Sequence, residues 1–275
     1  MKKRNLSTII LILILLVGLS LLLYPTISDY VNSRNQSQAI AVYNENVSKL
    51  GDDVYKQLWA EAQRYNETLI YKADRYEMTD GERAEYEKLL DISGNGIIGH
   101  IDIPVIDCTL PIYHGTDDAV LQIAAGHIEG TSLPVGGEST HCVISGHRGL
   151  PRAQLFSKLD KLVVGDTFML QVLDQTLTYE VDRILIVAPD NIDALGIEEG
   201  KDYCTLVTCT PYGVNSHRLL VRGHRVGNLE TEGLRVTADA MRIEPLVIAP
   251  MVNVSLLLLM MIVLLVRSRR KKRKE

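Results

Sequence analysis

The sequence predicts a mainly β domain, closed as a barrel or paired as a sandwich, preceded by helices and flanked by two membrane-spanning segments. Three observations carry this expectation. Nearly uninterrupted apolar runs stand near both ends, at Leu6 to Tyr24 and at about Leu246 to Val266. Between Asn35 and Leu69 apolar residues recur at three- and four-residue steps, the period of one helix face. After Gly96 the chain becomes a series of short β-rich runs separated by turns rich in Gly and Pro, which argues against an alternating α/β order.

The first apolar run follows Met1-Lys2-Lys3-Arg4-Asn5 and approaches the ~20 residues that cross a bilayer core as a helix. It exceeds the ~7 to 15 residues of a signal-peptide core, and Tyr24-Pro25-Thr26 lacks the small residues of a cleavage site, so an uncleaved anchor is expected. The second run is followed by Arg267-Ser268-Arg269-Arg270-Lys271-Lys272-Arg273-Lys274, a basic cluster that stays cytoplasmic. Both termini are then cytoplasmic and the domain between the spans is extracellular. The expected organisation is 1–24 tail and anchor, 25–95 helical region, 96–228 β module, 229–245 linker, 246–266 second span and 267–275 basic tail.

Charge narrows the function. The chain carries a net charge of −5. The two tails hold ten of its 29 basic and one of its 34 acidic residues, leaving 19 basic against 33 acidic outside, a balance of −14. That excludes nucleic acid as an expected partner. No dense group of Asp and Glu suggests an oxygen cage, so neither a metal nor a cofactor is expected. The four cysteines show no C-x-x-C spacing and are read as thiols, at least one of them reactive.

Within the helical region, Val47, Leu50, Val54, Leu58, Ala62 and Tyr65 define one face of a single helix. Thr79 and Glu82 have capping-box spacing at the head of a second helix, Asp80 to Leu90, and Gly94-Asn95-Gly96 ends the helical part. Strands are expected at Ile97 to Ile103, Thr140 to Ser145, Thr167 to Leu173 and Leu177 to Val187. In Leu177 to Asp182 apolar and polar residues alternate, and Asp174-Gln175 makes a hairpin with the preceding strand.

The chemistry centres on Tyr203 to Pro211. This run reads as a strand that stops at Cys209, because Pro211 cannot donate to a ladder and restricts the residue before it. A cysteine thiol, ordinarily of pKa ~8.5, becomes a nucleophile when a base or a positive charge favours its thiolate. His147 in Ser145-Gly146-His147-Arg148-Gly149 is the acid-base candidate, between glycines that permit close backbone approach. Arg218 heads the strand after the Cys209 loop, where a hairpin-like return brings it back as an oxyanion donor. Residue types alone leave a surface or core role open for all three. His100, His114, His141, His217 and His224 are read as strand or loop residues, and Cys108, Cys142 and Cys204 as buried small hydrophobes. His127 is either a turn-stabilising residue or part of a binding groove.

Thr205-Leu206-Val207-Thr208-Cys209 resembles the TLxTC signature of sortases, with the Ser-Gly-His-Arg segment and the arginine strand in the same order. Ile98 to Pro104, Gly126 to Pro134 and Pro25 to Ile40 resemble class C, the pilin-polymerising members, and two spans suit that class. The resemblance implies an eight-stranded sortase β-barrel, with Cys209 as nucleophile, His147 as general acid-base group and Arg218 as oxyanion stabiliser. It places His127 and Thr208 at the substrate groove. It also implies a reaction: cleavage of an LPxTG-like sorting signal between Thr and Gly, a thioacyl-enzyme, and transfer to a lysine amine of a pilin subunit. The alternatives are a housekeeping-type sortase acting on cell-wall peptide and an inactive membrane-anchored scaffold. One departure stands out: class C members carry a lid with an Asp-Pro-aromatic motif, and Tyr71 to Met78 contains no Asp-Pro.

Overall fold

The computed structural model describes residues 2–151 and 153–228. The expected linker and second span lie outside the described residues. Helix α1 runs from Lys2 to Ser48 with Pro25 inside it, so it crosses the expected boundary at residue 24 without a break. Its N-terminal part has a mean hydropathy of 2.0 and is long and apolar enough to cross a membrane. The chain divides between Ser28 and Asp29, and the barrel with its helices belongs to the body that begins at Asp29.

The single helix expected over residues 35–69 is two. α1 ends at Ser48, and α2, Asp52–Leu69, starts after Gly51, whose extended backbone ends the helical repeat. The apolar period survives the break, because Val47, Leu50, Leu58 and Tyr65 all pack on the barrel cluster. α3 spans Asp80–Tyr86 and carries both bonds of the expected capping box, Thr79 with Glu82. It stops short of Leu90, which adopts a positive φ of 62° and is fully buried.

The β module is a closed eight-stranded barrel with strand order β1-β2-β3-β4-β7-β8-β6-β5. Its strands are β1 Ile97–Ile103, β2 Cys108–His114, β3 Ala125–His127, β4 Thr140–Ser145, β5 Thr167–Val172, β6 Gln175–Val187, β7 Asp202–Thr210 and β8 His217–Arg225. A four-residue helix, α4, Asp118–Leu121, lies between β2 and β3. The pairs β2–β3 and β4–β7 are parallel and the other six antiparallel, with β1 closing on β5. The β5–β6 hairpin turns at Leu173-Asp174.

Alternation explains the interior. In β5, Phe168, Leu170 and Val172 are buried between half-buried Thr167, Met169 and Gln171. Phe168 stacks on Tyr179 of β6 with ring centroids 5.6 Å apart, and truncating such a residue to Ala costs about 3–5 kcal/mol. In β7, Cys204 and Leu206 join this interior, whereas Val207 joins a second cluster on the outer face with Val143, Leu195 and Leu220. Leu195 comes from the β6–β7 loop, which therefore lies over the outside of β4, β7 and β8.

Candidate active site

Cys209 lies two residues beyond Val207 and so shares its outer face. The strand continues one residue further than expected, to Thr210. Opposite Cys209 in the antiparallel β7–β8 ladder stands Arg218. Directly opposed residues put their Cβ atoms ~4.5–5.5 Å apart on one face. The pairing Val187 with Arg218 places the start of the β6–β7 loop on the other side of the same arginine.

His147 arrives by a different route. β4 runs parallel to β7 with Ser145 paired to Val207. The chain then follows β7 one step more: Gly146 N–H donates to Val207 O at 3.0 Å, and Thr208 Oγ1 donates to Gly146 O at 2.7 Å. His147 is the next residue, one position beyond this last bond to β7. Gly146 is required, because a Cβ there would sit 2.6 Å from the Phe156 ring. Phe156 N–H in turn donates to His147 O at 3.1 Å, folding the β4–β5 loop under the histidine. The imidazole Nε2 lies 3.9 Å from Asp118 Oδ1 of α4, a carboxylate that is 84% exposed and thus strongly screened.

The Arg218 guanidinium donates through Nη1 to the carbonyls of Asn215 and His217 at 3.3 and 3.2 Å, which turns it over the β7–β8 loop. Among the described residues no carboxylate pairs with it. A planar five-donor group at that position has capacity left for an anionic oxygen beside Cys209.

The four cysteines separate by environment. Cys108, Cys142 and Cys204 are buried and Cys209 is half-exposed, all as free thiols. Burial pushes the Cys108 thiol up to about 12 and raises Cys204 strongly as well. Only Cys209 combines access with a cationic neighbour.

Thr208 and His127 are both buried. Thr208 is 1% exposed and its hydroxyl is spent on Gly146 O, so it welds β4 to β7 where His147 leaves the barrel. His127 is fully buried. Its Nε2 faces Ser132 O at 2.8 Å and so carries the proton, and its Nδ1 accepts from the Tyr86 hydroxyl at 2.7 Å. This is the turn-stabilising arrangement, joining the β3–β4 loop to α3. Of the remaining histidines, His100, His114 and His141 are buried and His217 is exposed.

Comparisons with known proteins identify the family. Residues 101–226 match the family described as Sortase domain. Sortase C1 from Streptococcus agalactiae is 51% identical over a match covering 70% of this chain and 100% of that one, with a TM-score of 0.67. The chain belongs to the sortase family. Within it the similarity points to class C: a sortase C structure from Streptococcus pneumoniae is 48% identical, covering 69% of this chain and 97% of that one, with a TM-score of 0.63. Sortase A of Bacillus anthracis is 25% identical over 227 residues, 82% of this sortase and 98% of that protein. As a sortase the chain is a cysteine transpeptidase. The β6–β7 loop wall and the role of Thr208 as a weld were not visible in the sequence, because both depend on which strands pair.

Proposed function

We propose that Cys209, His147 and Arg218 are the catalytic group of this sortase and that it joins pilin subunits carrying an LPxTG-like sorting signal. The observation that carries this reading is the direct pairing of Cys209 with Arg218 across β7 and β8, with β4 running parallel to β7 so that His147 follows two residues after the Ser145–Val207 pair. The Streptococcus pneumoniae sortase C structure is described in terms of pilin substrate specificity, which supports a pilin as substrate and acceptor.

In this mechanism the Cys209 thiolate attacks the carbonyl carbon of the signal's Thr. Arg218 donates to the oxygen as it gains negative charge. The C–N bond to Gly breaks, and His147 gives its proton to the departing amine, leaving a thioester on Cys209. A neutral lysine Nζ of the next subunit then attacks the thioester, His147 takes the released proton, and the Cys209 sulfur leaves. An isopeptide bond results. Thr208 and His127 support the groove in this reading and do not touch the substrate. The apolar part of α1 anchors the enzyme in the membrane with the barrel outside, where substrate and enzyme share one surface and a raised effective concentration.

The test uses the full chain in detergent micelles with a pilin subunit bearing the signal. A thioacyl adduct by mass spectrometry and covalent multimers on a denaturing gel are expected, both lost in Cys209→Ala. Adduct without multimers would favour transfer to cell-wall peptide, and absence of any adduct would leave the scaffold reading. Arg218→Lys should lower kcat about a hundredfold or more, the cost of one oxyanion donor.

A further inference from the structure

We infer that Cys142 and Cys204 are a disulfide-forming site, a covalent tie between β4 and β7 that closes by exchange with a small-molecule disulfide. Neither residue belongs to the catalytic group proposed above, and the inference stands without it.

The pairing is direct. In the parallel β4–β7 ladder Cys142 stands opposite Cys204. Both side chains join the main buried cluster inside the barrel and are 2% and 0% exposed. Neighbouring strands lie ~4.7–4.9 Å apart, within the ~4.4–6.8 Å separation of Cα atoms that a disulfide spans. The two sulfurs already hydrogen-bond to each other. Side-chain rotation, with no change of register, is then the movement that brings them to a bond of ~2.05 Å.

The other two thiols are excluded by topology. Cys209 follows Cys204 on the same strand by an odd number of residues and therefore faces the opposite side of the sheet. Cys108 lies in β2, which β3 separates from β4. Its sulfur is turned to Leu155 O, to which it donates at 3.5 Å.

The folded pair is also arranged as reactants. Burial raises both thiols, and the hydrogen bond between them separates them. Cys142, which is bonded to His127 as well, is lowered, and Cys204 is raised well above its ordinary value. A thiolate beside a thiol is the pair from which exchange proceeds. The Cys142 sulfur attacks one sulfur of the small disulfide and expels a thiolate, which leaves a mixed disulfide on Cys142. The Cys204 thiol gives its proton to the expelled thiolate, and its sulfur attacks Cys142 Sγ and expels the second thiolate. Two protein thiols are oxidised, and one small disulfide is reduced to two thiols.

Burial sets when this happens. A molecule the size of glutathione does not reach either sulfur in the closed barrel, so exchange passes through transient opening or takes place while the chain folds. The same burial shields the finished bond from reductants. Cys142 stands five residues before His147 on β4, and Cys204 five before Cys209 on β7. The tie therefore fixes the register of the two strands that lead to these residues.

The test uses the full chain in micelles, first reduced to four thiols. It is incubated with oxidised and reduced glutathione at a urea concentration just below the unfolding transition, then alkylated in full denaturant and mapped. Cys142 and Cys204 should escape alkylation and be recovered in one linked peptide. The linked protein should melt about 10 °C above the reduced one, the gain from closing a loop of about 60 residues in a domain of this size. Cys142→Ala and Cys204→Ala should each abolish the linked peptide and the gain in melting temperature, leaving the remaining partner open to alkylation. Alkylation of both residues in the wild type after exchange has stopped, or glutathione carried separately on each, would overturn the inference. A peptide linking either residue to Cys108 or Cys209 would overturn it too, as would a linked protein that melts no higher than the reduced one.

Discussion

Acidification from pH 7.5 to pH 5 should destabilise this sortase through three buried histidines. Burial holds His100, His114 and His141 down from 6.5 to about 4. Burial is the main cause in each case; the neighbouring His127 adds to it at His114, and hydrogen bonding to Gly196 O offsets part of it at His141. In each case the folded state holds the neutral ring and the unfolded chain binds the proton first. Stability is therefore full above pH 6.5 and is lost as pH falls toward 4. At pH 5 each histidine contributes a loss of about 2 kcal/mol, against a usual total of about 5–15 kcal/mol for a domain. Burial raises the carboxyls of Asp102 and Asp202, and a raised carboxyl opposes the loss, but only where carboxylates begin to titrate. The Cys142 thiol, which burial raises but hydrogen bonds with Cys204 and His127 bring down to about 6, adds to the loss at the upper edge of the window from pH 6.5 to 5, and from pH 6 to 5 the histidines dominate. Urea denaturation at half-unit pH steps measures this, and His141→Gln should flatten the slope by about a third. A stability independent of pH across this window would refute the assignment of these rings as buried and neutral.

Other expectations follow from single contacts. Thr208→Val keeps shape but strands Gly146 O, so it should cost about 1–3 kcal/mol and lower the melting temperature by several degrees. It should also reduce kcat, since His147 follows directly, and an unchanged kcat would remove Thr208 from the positioning of His147. Native protein treated with iodoacetamide should be labelled at Cys209 alone, and urea-unfolded protein at all four cysteines, as peptide mapping will report. Gly146→Ala should lose both activity and stability, because the Phe156 ring occupies the space a methyl would need. Equal melting curves for that variant and wild type would contradict the packing.

Much of this architecture is written in local signals. β5 and β6 alternate visibly, α3 announces itself by its Thr79–Glu82 box, and α1 by an apolar run long enough to cross a bilayer. The Thr-Leu-Val-Thr-Cys run and the Ser-Gly-His-Arg segment carried the resemblance to sortases, which similarity to known enzymes then bore out. Other parts had no local signal. β3 is three residues long, too short for any period to register, and the break at Gly51 interrupts an apolar pattern that continues across it. Tertiary pairing alone decided that β4 lies parallel to β7, which brings the segment leading into His147 to the strand that carries Cys209 although they are far apart in sequence. It also decided that Leu195 roofs the outer face. The physical reason is range: propensity, capping and alternation act over a few residues, whereas the site is assembled by the register of strands whose order is fixed only when the barrel closes between β1 and β5.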